Sequence, residues 1–246
     1  MRYQIISVSR NAAPWLPACL ASIAAQTGQP FDVCVIDDAS DDGSDEIIRD
    51  FAEERGWAYH LNTKCQGALA NQCLAFDSLA PADDDVVVIV DGDDRLAHPG
   101  VLDRLQLAYA NPAVQLTYGS YRPDPPSESC PMARPYPAEV VRARSFRTGM
   151  YSVGLLYNHL RTFRAGAFRT LDREMRFKWP NGEWFDCCTD SAVMLPLLEV
   201  AGENHRFIPD VLYIYSSANP TSDWRERPGR IDATHKYIWG LPPMSR

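Results

Sequence analysis

Three aspartates, Asp91, Asp93 and Asp94, fall within four residues of one another directly after Val86 to Val90, the longest aliphatic run in the chain. A continuous β-branched run of this kind suits a strand covered on both faces of a parallel sheet, and its burial fixes where the carboxylates emerge. Carboxylates crowded at one spot repel, and a hard divalent cation with oxygen ligands, Mg²⁺ or Mn²⁺, relieves that repulsion most simply. Such an ion keeps open positions that can hold a diphosphate. Taken alone, DGDD also reads as an acidic turn with helix-capping aspartates ahead of Pro99.

A second acidic pair, Asp37-Asp38, also closes a short apolar run. A carboxylate there can accept the ring NH of a uracil or hydrogen bonds from a ribose, whereas Asp41, Asp42, Ser44 and Asp45 read as turn and N-cap residues. Gly67-Ala68-Leu69-Ala70-Asn71 opens a helical stretch with a residue that lets backbone approach a phosphate. Alone this is a weak signal.

The elements that must position these groups follow from periodicity. Residues 3 to 8 and 31 to 36 are apolar runs, each followed by a polar turn and then a helical pattern, over Trp15 to Gln26 and Asp45 to Arg55. Ala58 to Leu61 reads as a third strand, Gly67 to Leu79 as a helix, Val101 to Ala110 as a helix and Val114 to Tyr118 as a strand. This alternation predicts an α/β fold with a right-handed parallel sheet and ligands at the carboxyl ends of its strands. Residues 124 to 137 carry five prolines and read as a mobile surface loop dividing two halves. Beyond it, His159 to Leu171 and Thr189 to Ala201 look helical and Val211 to Tyr215 looks like a strand, while the pattern after Pro220 defines no element. No internal repeat is visible.

Composition narrows the class. The 246 residues, 46% hydrophobic and 23% charged, suit one folded domain. The net charge of -8 is uneven, with 18 acids against 7 bases in residues 1 to 120 and 14 against 17 afterwards. Seven cysteines form no CxxC pair, and their odd number points to reduced, buried thiols. With no apolar run long enough for a membrane span or signal peptide, a cytoplasmic protein is expected. Nine lysines and arginines lie between Arg142 and Lys178, interleaved with Phe146, Phe163, Phe168 and Phe177. This segment reads either as a grip for nucleic acid, an acidic acceptor or a diphosphate, or as a solvated helix face over buried phenylalanines.

Together these segments resemble glycosyltransferase family 2, closely over residues 3 to 118 and loosely beyond. The resemblance rests on IISVSRNAAPWLPACLASIAAQT, on VCVIDDASDDGSDE against the family's VxVxDDGSxDxS, and on VIVDGDD against its LDxDD. It implies a single GT-A (Rossmann-like) domain over residues 1 to 246, with a mainly parallel central sheet flanked by helices. Residues 1 to 120 would form the nucleotide-sugar donor half and residues 121 to 246 the acceptor half and tail. It further implies that Asp38 reads the base, that Ser9, Arg10 and Asn11 line the nucleoside pocket with Gly67 and Asn71 nearby, and that Asp91, Asp93 and Asp94 serve ribose, metal and diphosphate. Ser9-Arg10 replaces the usual Thr-Tyr, and Ala70 stands where many members carry arginine, so phosphate charge must be met by Arg10, Lys64 or the basic segment.

Cys188-Thr189-Asp190-Ser191 looks like the family's Glu-Asp catalytic motif at a helix N-terminus, without the glutamate. Asp190 is the candidate general base, a carboxylate that takes the acceptor hydroxyl proton as the sugar carbon is attacked. A purely helix-capping Asp190 is the plainer alternative. Asn219 or Ser217 stands where many members place a metal-reaching histidine, and His159-Leu160-Arg161 lies just ahead of the base, although a histidine there is more often structural.

The reading is thus an inverting, metal-dependent glycosyltransferase, in which Mn²⁺ or Mg²⁺ helps to move a hexose from a nucleotide diphosphate to a hydroxyl. The acceptor stays open among glycans, lipid carriers, protein side chains and modified nucleobases. Two rivals are a nucleotidyltransferase, which normally needs a glycine-rich loop that SRNAAPW lacks, and a nucleotide-sugar-binding module without turnover.

Overall fold

The aliphatic runs become the strands of a sheet buried on both faces, in a computed structural model that describes residues 1–126, 133–147, 157–219 and 228–244. Strands β1 (Tyr3–Ser9), β2 (Phe31–Asp37), β3 (Ala58–Leu61) and β4 (Val86–Asp91) alternate with helices α1 (Leu16–Ala24), α2 (Ser44–Arg55) and α3 (Ala68–Leu79). Side chains of a strand point alternately to opposite faces. Ile6, Cys34, Ile36, Val87 and Ile89 accordingly pack on one side against Leu69, Cys73 and Phe76 of α3. Ile5, Val33, Val35, Val86, Val88 and Val90 pack on the other against Leu16, Leu20 and Ile23 of α1. Both faces are covered, which is why β4 carries no polar residue before Asp91.

The sheet has eight strands in the order β3-β2-β1-β4-β7-β6-β8-β5. It includes the short β5 (Arg95–Leu96), β6 (Leu116–Asp124), β7 (Arg161–Arg164) and β8 (His205–Ser216), with α4 (Val101–Tyr109) between β5 and β6. Pairs β3-β2, β2-β1, β1-β4 and β6-β8 are parallel, whereas β7 runs antiparallel to both β4 and β6, and β5 is antiparallel to β8. The chain leaves β1 in one direction to build β2 and β3 and returns to place β4 on its other side. The crevice at the carboxyl ends of β1 and β4 is therefore the switch point at which open α/β sheets bind ligands.

The second half departs from the expected elements in three places. The segment His159 to Leu171, expected as helix, is strand β7 followed by a short helix, Ala165–Arg169. Its residues bridge β4 and β6, and pairing overrides the helical spacing of Phe163, Ala167 and Phe168. The proline-rich loop is held at its far end, where the Ala133 amide donates to Ser120 Oγ at 3.1 Å and Tyr136 is buried; residues 127–132 of that expectation, Cys130 among them, lie outside the described residues. The tail contains a helix, Pro228–Gly240, as well as Thr189–Ala201 where a helix was expected.

Most bases of the Arg142 to Lys178 segment are structural cross-links. Arg164 donates to the carbonyls of Val114, Asp84 and Tyr109. Arg173 forks onto Asp77, and Arg147 forks onto the buried Glu199 at 2.6 and 3.0 Å while also donating to the Ile238 carbonyl. Phe146, Phe163, Phe168 and Phe177 are all buried as expected, but Arg161, Arg164 and Arg176 are buried with them and do not form a solvated helix face. The six cysteines among the described residues are reduced thiols, and no described helix is long and apolar enough to cross a membrane.

Candidate active site

Each carboxylate of the DGDD turn is fixed by a different later part of the chain. Asp94 N donates back to the Asp91 carbonyl at 2.9 Å, closing a tight turn, and Gly92 N donates to the Val8 carbonyl at 3.0 Å. A Cβ on Gly92 would lie 2.3 Å from Ser9 Cβ, so only glycine lets this turn sit on the end of β1. Asp91 Oδ2 accepts from Arg161 Nη2 at 2.9 Å, Asp93 Oδ2 from Asn219 Nδ2 at 2.7 Å and Asp94 Oδ1 from the Ser216 amide at 2.7 Å. Of Asn219 and Ser217, the two candidates for the histidine position, it is Asn219 that reaches the acidic cluster.

Arg161 forms an ion pair with Asp91 alone among the three, and the other two carboxyls of the cluster are crowded, Asp94 buried and Asp93 half-buried. Burial, then the charges of Asp93 and Asp91, push the Asp94 carboxyl up to about 8, against smaller opposing effects of the Ser216 amide and Tyr213 hydroxyl. Asp93 is likewise raised, mainly by burial. Asp94 Oδ2 is buried without a hydrogen-bond partner, and ligand atoms of Asp91, Asp94 and His159 lie within 4.8 Å of one another. An orphaned carboxylate oxygen beside another carboxylate and an imidazole is a donor set that fits a small divalent cation such as Mn²⁺ or Mg²⁺. The grouping differs from the expected trio, since Asp93 turns to Asn219 and His159 enters. The sequence marks His159 only by its place ahead of Asp190 and not as a partner of the acidic turn; its ring stacks on Tyr213 with centroids 4.4 Å apart. The ring keeps some exposed surface, yet burial and the adjacent Arg161 charge depress its pKa well below the usual imidazole value.

Across the crevice, Asp38 organises the loop ahead of α3. Its Oδ1 accepts from the Gln66 amide at 2.7 Å and Asn62 Nδ2 at 3.0 Å, and its Oδ2 from the Gly67 amide at 2.9 Å and the Cys65 thiol at 3.2 Å. These four donors match the roughly four lone-pair sites of a carboxylate. The Gly67 amide is therefore directed at Asp38, and Asn71 is buried beside it, its Oδ1 accepting from Asn62 at 2.8 Å. Ser9 is buried and its carbonyl accepts the Asp38 amide at 2.8 Å. Arg10 is exposed, with Nη1 3.0 Å from Cys65 Sγ, and Asn11 sits at φ 50° with Oδ1 accepting the Asp41 amide.

Burial alone would raise the Asp38 carboxyl, but the Gln66 amide and the polar groups of Asn71, Asn62 and Cys65 around it hold it below the usual range. Its contribution to stability is then present above the unfolded carboxylate pKa and is lost as pH falls through the lowered folded value. Asp38→Ala leaves the Gln66 and Gly67 amides without their acceptor and is expected to cost about 1–3 kcal/mol, read by denaturant unfolding at neutral pH, with the difference from wild type vanishing in acid. An undiminished midpoint at neutral pH would show that water replaces the carboxylate without loss.

Asp190 lies in the first turn of the Thr189–Ala201 helix, whose N-cap residue is Cys188; its Oδ1 accepts the adjacent Ser191 amide at 2.8 Å. With Arg161, Gln72 and Thr189 it lines a small cavity. Arg161 is 7% exposed and its pKa is raised: burial opposes its charge, and Asp91 and Asp190 outweigh burial. The helix bearing Asp190 is held in turn by the C-terminal helix, through Ser191 Oγ and His235 Nε2 at 3.0 Å.

A Rossmann-like sheet with acidic turns at its switch point defines a GT-A glycosyltransferase domain. The chain belongs to glycosyl transferase family 2, whose family model matches residues 4–175. Among solved structures it is similar to S. aureus TarS residues 1–349 in complex with UDP (TM-score 0.63, 15% identity), covering 89% of this chain and 61% of that one. It is also similar to the mannosyltransferase PcManGT from Pyrobaculum calidifontis in complex with GDP-Man and Mn²⁺ (0.63, 21%, covering 95% and 62%). A third is mannosyl-3-phosphoglycerate synthase from Rubrobacter xylanophilus (0.65, 15%, covering 97% and 72%). The chain thus spans about three-fifths of the first two, and at these identities the likeness is one of fold. No curated protein sequence matches the chain.

Proposed function

We propose that this enzyme moves a sugar from a nucleoside diphosphate donor to a hydroxyl acceptor with inversion, using Asp190 as general base and a divalent cation, Mn²⁺ or Mg²⁺, at Asp91 and Asp94. The observation that carries the reading is the placing of the acidic cluster and Asp190 on either side of Arg161 at the switch point of the sheet. Asp91, Asp94 and His159 would hold the ion, which when bound supplies positive charge to the diphosphate leaving group. Asp93 would serve the ribose or diphosphate. Ser9, Arg10, Asn11, Gly67 and Asn71 would border the nucleoside, with Asp38 shaping that pocket and meeting the base by exchanging its Cys65 contact. Asp190 would take the proton of the acceptor hydroxyl as that oxygen attacks the sugar carbon from the face opposite the leaving group.

Residues 1 to 120 would form the donor half and residues 121 to 246 the acceptor half. The UDP, GDP-Man and Mn²⁺ carried by the similar structures support a nucleotide-sugar donor with Mn²⁺. The reduced thiols fit a reducing compartment, and we place the reaction in the cytoplasm. Incubation with UDP-, GDP- and TDP-sugars is expected to release nucleoside diphosphate from one donor class, and only with Mn²⁺ or Mg²⁺. Nucleotide binding without release from any donor would favour a binding module.

A further inference from the structure

We infer that Arg161 is a resident cation of the acidic cluster, using the lone pairs that a divalent ion needs, so that the ion binds only as this guanidinium leaves Asp91. The inference rests on the metal-dependent reading above. Arg161 opens β7 opposite Ile89 of β4, which brings its side chain to the carboxyl end of the strand that ends in Asp91. One amino group, Nη2, donates to Asp91 Oδ2 at 2.9 Å and stands 3.2 Å from His159 Nδ1. Arginine has no acceptor and keeps its charge, so Nδ1 must be the accepting, unprotonated nitrogen and the proton of the neutral ring sits on Nε2. Two of the three residues grouped for a metal, Asp91 and His159, therefore already direct a lone pair at a cation.

A Mg²⁺-sized ion needs those oxygens and nitrogens at about 2.0–2.2 Å, a distance at which no N–H can share the same lone pair. Ion and guanidinium would also repel at close range. The Arg161 Nε is buried without a partner, and Arg161 lines a cavity of about the size of one water together with Gln72, Thr189 and Asp190. Loading of the donor site would thereby shift the guanidinium towards the carboxylate of the acceptor side.

The test is Mn²⁺ titrated into wild type, Arg161→Gln and Arg161→Lys, with free ion read by electron paramagnetic resonance, in the absence and in the presence of UDP or GDP. Without nucleotide, Arg161→Gln is expected to bind Mn²⁺ at least about tenfold tighter than wild type, a gain of about 1.4 kcal/mol, with Arg161→Lys close to wild type. Equal or weaker affinity in Arg161→Gln, while both proteins bind Mn²⁺ with nucleotide, overturns the resident cation and leaves the metal reading standing. A lysine variant as tight as the glutamine variant overturns it too, because the gain would not come from removing charge. No Mn²⁺ binding by any protein under either condition overturns the metal reading and the inference together. If Arg161→Gln does not fold, wild type labelled with ¹⁵N-arginine decides: the Nε resonance missing from Arg161→Lys must move at Mg²⁺ concentrations that saturate UDP binding, and a fixed resonance overturns the inference.

Discussion

Asp190→Asn is expected to abolish most transfer while leaving donor binding nearly intact. Asparagine keeps the shape of the side chain and an oxygen to accept the Ser191 amide, but it cannot take a proton from an acceptor. Because Cys188 is the N-cap residue, the substitution removes no capping bond, and the melting temperature should stay close to wild type. A general base contributes about 10²- to 10⁴-fold in rate, so product formation under saturating donor should fall by that order while the nucleotide dissociation constant moves little. Donor hydrolysis should fall as well if water uses the same base. Transfer within about threefold of wild type, less than loss of a general base causes, would reduce Asp190 to a charge at a helix N-terminus. Asp186, Glu183 and His159 would then be the next candidates.

Removal of the proposed divalent ion is expected to have the second large effect. Without it, the acidic cluster faces the diphosphate with like charge, and the Arg161 guanidinium beside it is already engaged with Asp91. Calorimetry with UDP and GDP should give binding with Mn²⁺ or Mg²⁺ and a loss of at least about tenfold after chelation, equivalent to about 1.4 kcal/mol. The same ion, binding the folded state alone, should raise the melting temperature in a concentration-dependent way. Equal nucleotide affinity with and without chelator would remove the metal from the site.

How far the sequence discloses this protein depends on where each signal resides. Strands β1 to β4 and helices α1 to α4 were legible because the buried runs and the punctuation between them are local, and the DGDD turn was legible because it ends the most apolar strand. Arg161–Arg164 was not: RTFRAGAFRTL has apolar residues at helical spacing, and its strand character comes from pairing with β4 and β6. The Pro228–Gly240 helix was missed although Ile231, Thr234 and Ile238, spaced by three and four, mark its packed face. Asp38 could be picked out as a site residue, but its bonds to the loop ahead of α3 come from folding and not from its neighbours in sequence. His159 and Arg161 stood out only for lying just ahead of Asp190, and their contacts with the acidic cluster, some seventy positions away, were not legible for the same reason.

The bonds that pin the DGDD turn also set an order of events at the ribosome. Asp91 finds its partner 70 residues later, Asp94 122 residues later and Asp93 126 residues later. A nascent chain that has emerged only through β4 therefore holds three crowded carboxylates with none of Arg161, Ser216 or Asn219 to receive them. The turn cannot take its final form until β7 has inserted beside β4 and β8 has followed. The crevice at the ends of β1 and β4 is completed late in synthesis, and partly made chains do not present it assembled.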